Sequence, residues 1–96
     1  MIVSFRDKKT QKLFTTDEYV ANLDRIKKVA KRKLLMLHEA NNLEYLRQFP
    51  NNHLEKLTGE RVGEWAIRIN DQYRLCFIWL NGNAYEVEVT KHYQKI

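Results

Sequence analysis

Apolar and polar residues alternate along the second half of the chain. Between Glu64 and Thr90 the odd positions of three runs are apolar: Trp65, Ile67 and Ile69; Tyr73, Leu75, Phe77 and Trp79; and Tyr85, Val87 and Val89. Successive side chains of a β-strand point to opposite faces of a sheet, so these residues share one face. The pattern predicts a three-stranded antiparallel meander over residues 64–90.

The first half of the chain follows the helical period instead. From about Asn22 to Ala40 the apolar residues recur at intervals of three and four, which predicts one long amphipathic helix. Shorter helical segments are predicted from Lys8 to Phe14 and from Leu43 to Phe49. The run Thr15-Thr16-Asp17-Glu18 fits a capping box, with Thr15 as the cap, and predicts a further helical turn that begins there.

Two short β-prone runs, Ile2 to Phe5 and His53 to Leu57, lie outside the meander. Helical segments therefore come first along the chain and antiparallel strands last. This order is typical of an α+β fold in which helices pack on one face of a twisted, mostly antiparallel sheet. With 96 residues and no linker, repeat or low-complexity tract, the chain is expected to form one domain over residues 1–96.

The alternation also predicts how the strands pair. For odd positions to face odd positions, the numbers of two paired residues must sum to an even value. Three-residue loops satisfy this condition, and the first one, Asn70 to Gln72, pairs Ile69 with Tyr73 and Arg68 with Arg74. Two cations are thus predicted to lie directly opposite each other.

The same condition predicts a three-residue loop from Asn81 to Asn83, in which Gly82 is available for a left-handed backbone. This loop pairs Trp79 with Tyr85. Further along the same two strands, Arg74 is expected to lie opposite Thr90.

One face of the predicted sheet therefore gathers Arg68, Arg74, Thr90 and His92, with Glu88 diagonal to the arginines. Like charges directly opposite each other destabilise a sheet by a few tenths of a kcal/mol to about 1 kcal/mol. Two interpretations explain the tolerance of such a pair. Glu88 neutralises it in a structural Arg-Glu-Arg network, or a bound anion does, since forked guanidinium groups suit the oxygens of a phosphodiester.

The charge balance favours polyanionic partners. Lys and Arg number 17 against 12 Asp and Glu, a net charge of +5, which ranks nucleic acid, the ribosome or an acidic protein above neutral small molecules. The polar face of the long helix is either solvated surface or a polyanion contact. Its cations are Arg25, Lys28, Lys31 and Arg32. Neither a membrane-spanning run nor a signal peptide is recognisable, which predicts a cytoplasmic protein.

No metal or other cofactor is expected. The histidines, at positions 38, 53 and 92, lack the spacing of a metal site. The single cysteine, Cys76, cannot form an internal disulfide and lies in an apolar strand, so we interpret it as part of the sheet packing.

The run from Leu54 to Phe77 resembles the HigB branch of the RelE-like toxins. It contains the patterns Leu-x-x-Leu-x-Gly-x-Arg-x-Gly, Trp-x-Ile-x-Ile-Asn and Tyr-Arg-Leu-x-Phe in that order. The segment from Asn81 to Val89, the opening Ile2 to Phe5 and the lysine-rich middle are also similar to this branch. The resemblance therefore covers nearly the whole chain.

The resemblance implies a compact RelE-like fold and a metal-free endoribonuclease that cuts messenger RNA in the ribosomal A site. The implied partner is a HigA-type helix-turn-helix antitoxin that neutralises the toxin and represses their shared operon, so DNA is contacted only through the antitoxin. By position, Arg61, Arg68 and Arg74 match residues that grip RNA phosphates or stabilise the transition state. The predicted RNA-binding residues are Arg61, Lys56, Lys91, Lys28 and Arg32.

The acid and base are less well defined, because this chain departs from its relatives there. Some relatives have His-Pro in place of Glu55-Lys56, and many end in Asp-Tyr-His where this chain has Lys91-His92-Tyr93. His92 is the first choice, since an imidazole with an ordinary pKa of about 6.5 suits either proton transfer. Tyr93 and Glu55 are the alternatives. The predicted catalytic residues are His92, Arg74, Arg68, Tyr93 and Glu55.

Two other classes of function fit the same residues. The basic face could bind RNA or the ribosome without cutting it, as a non-catalytic module of the same fold. A pure protein-interaction domain would instead bind with little salt dependence, because it would not contact phosphates.

Overall fold

The computed structural model describes residues 1–91. Within them the chain forms three α-helices, α1 Lys8–Thr15, α2 Lys27–Glu39 and α3 Leu43–Arg47. It also forms four strands, β1 Glu55–Lys56, β2 Trp65–Arg68, β3 Tyr73–Leu80 and β4 Asn83–Lys91. The strands make one antiparallel sheet in the order β1-β2-β3-β4. The predicted α+β class is therefore confirmed.

The two shorter helices begin at side-chain caps. The carboxylate of Asp7 accepts a hydrogen bond from the backbone N–H of Thr10 at 2.7 Å, and the amide oxygen of Asn42 accepts one from Tyr45 at 2.9 Å. Each cap satisfies one of the backbone donors that the first turn of a helix leaves unpaired. Of the helices in the described part of the chain, none combines the length and apolarity needed to cross a bilayer.

The predicted capping box at Thr15 is wrong. Thr15 is the last residue of α1, and the neighbouring Thr16 hydroxyl donates to the carbonyl oxygen of Lys12 at 3.0 Å. The same hydroxyl accepts from the backbone N–H of Glu18 at 3.1 Å. The threonine pair thus ends one helix rather than starting another, because its hydroxyl satisfies a carbonyl that the last turn leaves unpaired.

The long helix is shorter than its apolar period predicts. A 3₁₀ turn over Asp24–Ile26 leads into α2, which then runs to Glu39. The stripe of α2 that faces the sheet contains Ala30, Leu34 and Leu37, each fully buried. This packing confirms the predicted amphipathic helix and places its cationic face on the outside of the molecule.

The core lies between the helices and the odd-numbered face of the meander. Its fully or nearly fully buried strand residues are Ile67, Ile69, Leu75, Phe77, Val87 and Val89. Even-numbered residues of β2, β3 and the second half of β4 point away from the helices, because side chains alternate along a strand, whereas Ala84 near the start of β4 is buried in the core. We call the sheet surface away from the helices the outer face.

The first hairpin has the predicted register. Arg68 lies opposite Arg74, and the backbone N–H of Ile69 donates to the carbonyl oxygen of Tyr73 at 3.0 Å. The side-chain oxygen of Asn70 accepts from the backbone N–H groups of Gln72 and Tyr73, both at 2.8 Å. The loop is thus held by an asparagine that mimics a backbone turn.

The second hairpin differs from the prediction. Its turn contains two residues, Asn81 and Gly82, whose φ angles are 52° and 80°, so that Tyr85 lies opposite Ile78 rather than Trp79. Positive φ at both central residues is the geometry of a type I′ turn, which Asn-Gly favours and which matches the twist of the flanking strands. Turn chemistry therefore overrides the parity condition here.

A β-bulge then restores the predicted pairing further along. The register shifts between Cys76 and Ile78, and Glu86 on the facing strand has a φ of 52°. One extra residue in β4 moves the sum of paired numbers back to an even value. Arg74 consequently lies opposite Thr90, as predicted.

The β-prone N-terminal run pairs in parallel with the free edge of β4. Ile2 and Phe5 form bridges with Ala84 and Val87. The backbone N–H of Arg6 donates to the carbonyl oxygen of Val87 at 2.9 Å, which brings Arg6 beside the sheet. The other β-prone run forms only the two-residue strand β1, since the 3₁₀ turn Pro50–Asn52 precedes it.

Candidate nucleic-acid interface

The paired arginines are held by the loop that joins their strands. On the outer face, Arg68 donates to the carboxylate of Asp71. Arg74 Nη1 donates to the carbonyl oxygens of Asn70 at 2.5 Å and Tyr73 at 3.0 Å. The hairpin loop therefore supplies the acceptors that let two like charges lie opposite each other.

Glu88 does not neutralise this pair. It lies opposite Cys76, one row along the sheet from Arg74, and its carboxylate accepts from Arg61 and Arg6 instead. The first of the two interpretations, an Arg-Glu-Arg network through Arg68 and Arg74, is therefore wrong. The nearby carboxylate of Asp71 is 90% exposed. Such an exposed ion pair contributes at most about 1 kcal/mol, so a competing anion can replace Asp71 beside Arg68.

The short strand β1 sends its two side chains to opposite faces. Glu55 lies opposite Ala66 and so shares the outer face with Arg68, two residues further along β2. Lys56 lies opposite Trp65, and its ammonium is 6.0 Å from the centroid of that indole ring. The structure thus brings Glu55 to the arginine face and separates Lys56 from it.

Four charged residues form a second cluster on the outer face, which we call the outer-face ion cluster. Its members are Arg6, Arg61, Glu64 and Glu88. Arg61 Nη1 is 2.9 Å from Glu64 Oε1, and its Nη2 is 3.0 Å from Glu88 Oε1. Arg6 Nη1 is 3.3 Å and 3.4 Å from the same two oxygens. Each carboxylate oxygen is therefore shared by two guanidinium groups.

A small buried patch lies in the same rows of the sheet. It consists of Leu57, Ala66 and Cys76, all buried. Burial raises the pKa of the Cys76 thiol to about 12, so the thiol stays protonated and unreactive at neutral pH. The interpretation of Cys76 as a packing residue is confirmed.

The cationic face of α2 lines an open groove of about 650 Å³. Two of its lysines are engaged by the segment before the helix: Lys31 Nζ lies 2.6 Å from Asp17 Oδ1, and Lys27 Nζ lies 2.7 Å from the carbonyl oxygen of Glu18. The hydrogen bond and charge of Lys31 lower the pKa of Asp17. Lys28 and Arg32 line the same groove and are exposed.

A buried lysine ties this helix to the turn that follows α3. Lys33 is 6% exposed, and its Nζ donates to the amide oxygen of Asn52 at 2.5 Å. Burial, together with the charges of Arg32 and Arg68, lowers the pKa of Lys33. The two basic regions are thus close enough to influence the same ammonium. The sequence signal for the burial of Lys33 is its position on the apolar stripe of the helix, in line with Ala30 and Leu37.

The remaining predicted site residues lie at or beyond the end of β4. Lys91 is exposed, lies opposite Tyr73 and, by strand alternation, points to the other face from Thr90. His92 and Tyr93 lie outside the described residues. Within residues 1–91, no three side chains of His, Cys, Asp or Glu gather closely enough to hold a metal ion.

Comparison with known proteins confirms the resemblance over almost the whole chain. Residues 3–92 match the family model of the RelE-like toxin HigB of type II toxin-antitoxin systems. The chain is 33% identical to Toxin HigB-1 of Vibrio cholerae serotype O1 over 93 residues, which cover 96% of this chain and 98% of that toxin. It is also 37% identical, over 65 residues, to an uncharacterized protein of Haemophilus influenzae, covering 68% of this chain and 64% of that protein.

Proposed function

Because the chain belongs to the RelE-like HigB toxins of type II toxin-antitoxin systems, we propose that it is an endoribonuclease that cleaves messenger RNA on the ribosome. The observation that carries this proposal is the Arg68–Arg74 pair, two half-exposed arginines that lie opposite each other on neighbouring strands of the outer face. Such a pair costs stability in a sheet and suits a phosphate, whose oxygens accept forked hydrogen bonds.

The arginines act by electrostatics. Cleavage of RNA without a metal places additional negative charge on the oxygens of the scissile phosphate in the transition state. Cations held in advance near those oxygens stabilise that charge without reorganising during the reaction. The bonds of Arg74 to the carbonyl oxygens of Asn70 and Tyr73 supply this preorganisation, since they fix one edge of its guanidinium.

Proton transfer requires one base and one acid. The base removes the proton of the 2′-hydroxyl, the 2′ oxygen attacks phosphorus, and the acid protonates the departing 5′ oxygen. His92 directly follows β4 and remains our first choice, with Tyr93 as a companion. Glu55 supports an alternative assignment as the base, because its strand position shares the outer face with Arg68.

The wider basic surface binds the nucleic acid away from the reacting phosphate. Lys28 and Arg32 line the α2 groove, and Lys91 is exposed at the end of β4. We propose that these residues, with Lys56, contact the phosphates of messenger RNA or ribosomal RNA, and that Arg61 binds an RNA phosphate beside the Arg68–Arg74 pair. In the cytoplasm a HigA-type helix-turn-helix antitoxin would neutralise the activity.

Primer extension on a reporter message after brief induction of the protein tests the proposal. New internal 5′ ends confined to translated codons are expected for the wild type and for Arg47→Ala, a control that removes an exposed arginine on α3. The ends should disappear in Arg74→Ala. Growth arrest with an intact message would refute the nuclease and favour the non-catalytic binding module, for which the basic groove on α2 would suffice.

A further inference from the structure

Arg61 is predicted to grip RNA, yet its guanidinium is occupied in the free protein. Both of its terminal nitrogens bind carboxylates, Glu64 at 2.9 Å and Glu88 at 3.0 Å. To reach an RNA phosphate, Arg61 must leave both. Those carboxylates are only 11% and 19% exposed, and a partly buried charge left without a partner is strongly unfavourable.

Arg6 lowers this obstacle. Its Nη1 already lies 3.3 Å from Glu64 Oε1 and 3.4 Å from Glu88 Oε1, the same two oxygens that Arg61 binds. Its contacts are longer than those of Arg61 and use one nitrogen, so they can tighten when Arg61 departs. The main chain of Arg6 is tied to β4 through the carbonyl oxygen of Val87, which keeps the side chain in place.

The distance that Arg61 must cover is short. Glu88 and Thr90 are two residues apart on the outer face of β4, and Thr90 lies in the row of Arg68 and Arg74. Two residues of a strand span about 7 Å. The step from the carboxylates to the arginine row is therefore about the length of an arginine side chain.

We propose that Arg6 is a positioning residue for Arg61. Arg6 holds Glu64 and Glu88 while Arg61 exchanges these carboxylates for an RNA phosphate. This inference rests on the proposed function and adds a residue whose effect on RNA is exerted through another side chain. After the exchange both carboxylates still contact a guanidinium, that of Arg6, and the phosphate gains Arg61, while the cluster itself passes from neutral to a net charge of −1.

The test uses the purified full chain and ribosomes programmed with a defined message. The toxin concentration that gives half-maximal cleavage is measured separately from the rate at saturation. Arg6→Met is expected to raise the half-saturating concentration about five- to tenfold, since Arg61 is then held by two otherwise unpaired carboxylates. The saturating rate should stay within about twofold, and Arg6→Lys should restore most of the affinity.

Two charge-matched double variants separate positioning from net charge. Adding Glu64→Gln to Arg6→Met restores the wild-type net charge and also loosens the hold on Arg61, so affinity should recover. Adding Glu60→Gln restores the same net charge at an exposed neighbour of Arg61 outside the cluster, and affinity should stay low. Thermal unfolding of each variant gives the folded fraction, and Arg6→Gln replaces Arg6→Met if the latter does not fold.

Each outcome decides between the accounts. Equal recovery of affinity with Glu60→Gln and Glu64→Gln would overturn the inference in favour of a general electrostatic effect. An unchanged half-saturating concentration in both Arg6→Met and Arg6→Gln would also overturn it. A wild-type protein that cleaves normally in those experiments leaves the proposed function intact. Absence of cleavage by the wild type would instead overturn the proposed function, and this inference with it.

Discussion

At the scale of single residues, the outer face combines charges that a purely structural surface would not need. Arg68 and Arg74 oppose each other, and the carboxylate nearest to them, Asp71, is exposed on the loop. The better buried carboxylates, Glu64 and Glu88, bind other arginines. Function and stability should therefore respond separately to substitution at this face.

Arg68→Gln tests this separation. Removal of one of two opposed charges should change the free energy of unfolding by less than about 1 kcal/mol, because the gain in sheet pairing offsets the lost exposed ion pair. The cleavage rate on programmed ribosomes should fall by about a hundredfold, as for the loss of one transition-state donor. Urea unfolding supplies the first quantity. A parallel loss of stability and activity would contradict the assignment of Arg68 to the site.

Asp71→Asn is the companion variant. Since the Arg68–Asp71 pair is exposed, its loss should leave both stability and cleavage nearly unchanged, or raise activity slightly by freeing Arg68. A large drop in cleavage would mean that Asp71 positions Arg68 rather than merely neutralising it.

Cys76 gives a pH-dependent prediction. Its thiol has a pKa raised from 9.0 to about 12 by burial, so the folded state keeps the proton that the unfolded chain releases. Stability from this group is fully present below about pH 9 and is lost as the pH rises towards 12, with a limiting slope of about 1.4 kcal/mol per pH unit. Urea unfolding of the wild type and Cys76→Ala between pH 7 and about 10.5 should show the extra slope only in the wild type.

At the scale of elements, the two hairpins differ in how far their sequence predicts them. The odd-even alternation of apolar residues correctly predicts the pairing of Arg68 with Arg74. The three-residue loop and the hydrogen bonds of the Asn70 side chain are compatible with that register. In the second hairpin the register is set instead by the type I′ turn that Asn-Gly favours. The bulge at Glu86 that restores the register has no distinctive sequence, since glutamate rarely adopts a positive φ.

Other parts of the site were beyond sequence reasoning for a different reason. The outer-face ion cluster joins Arg61 to residues from distant positions, Arg6 and Glu88, and the parallel pairing of the N-terminal run with β4 brings Arg6 beside Glu88. Sequence patterns report local periodicity, not such long-range contacts. The alternation of a strand does, however, place Glu55 on the arginine face once the register of β1 is known.

Gly82→Ala tests the turn that sets the second hairpin. Gly82 has a φ of 80°, where an alanine is strained, while its added methyl group would meet only an ordinary contact with the carbonyl oxygen of Asn41 at 3.5 Å. We expect a loss of about 1 to 2 kcal/mol in the free energy of unfolding, without loss of cleavage by the folded fraction. An unchanged stability would argue against the type I′ turn.

At the scale of the whole molecule, cations occur on both the outer face and the α2 groove, and Lys33 lies within the electrostatic influence of Arg32 and Arg68. A polyanion that contacts both regions would release counterions at each of them. Association should therefore weaken steeply as salt is raised.

The double variant Lys28→Ala/Arg32→Ala measures how much the α2 groove contributes to the affinity for ribosomes. If both residues contact phosphates, the slope of log affinity for ribosomes against log salt should become shallower by about 1.4 to 1.8, and affinity should fall at low salt. Lys8→Ala/Lys9→Ala removes the same charge from exposed positions on α1 and serves as the control. Equal slopes in the two double variants would remove the groove from the interface.

The central claim is that the Arg68–Arg74 pair stabilises the transition state for cleavage of messenger RNA. The most direct measurement is the single-turnover rate of message cleavage on programmed ribosomes by purified wild type, Arg74→Ala and the control Arg47→Ala. The account predicts rapid cleavage by the wild type and the control, and a rate at least about a hundredfold lower for Arg74→Ala. Cleavage by Arg74→Ala at the wild-type rate would contradict it.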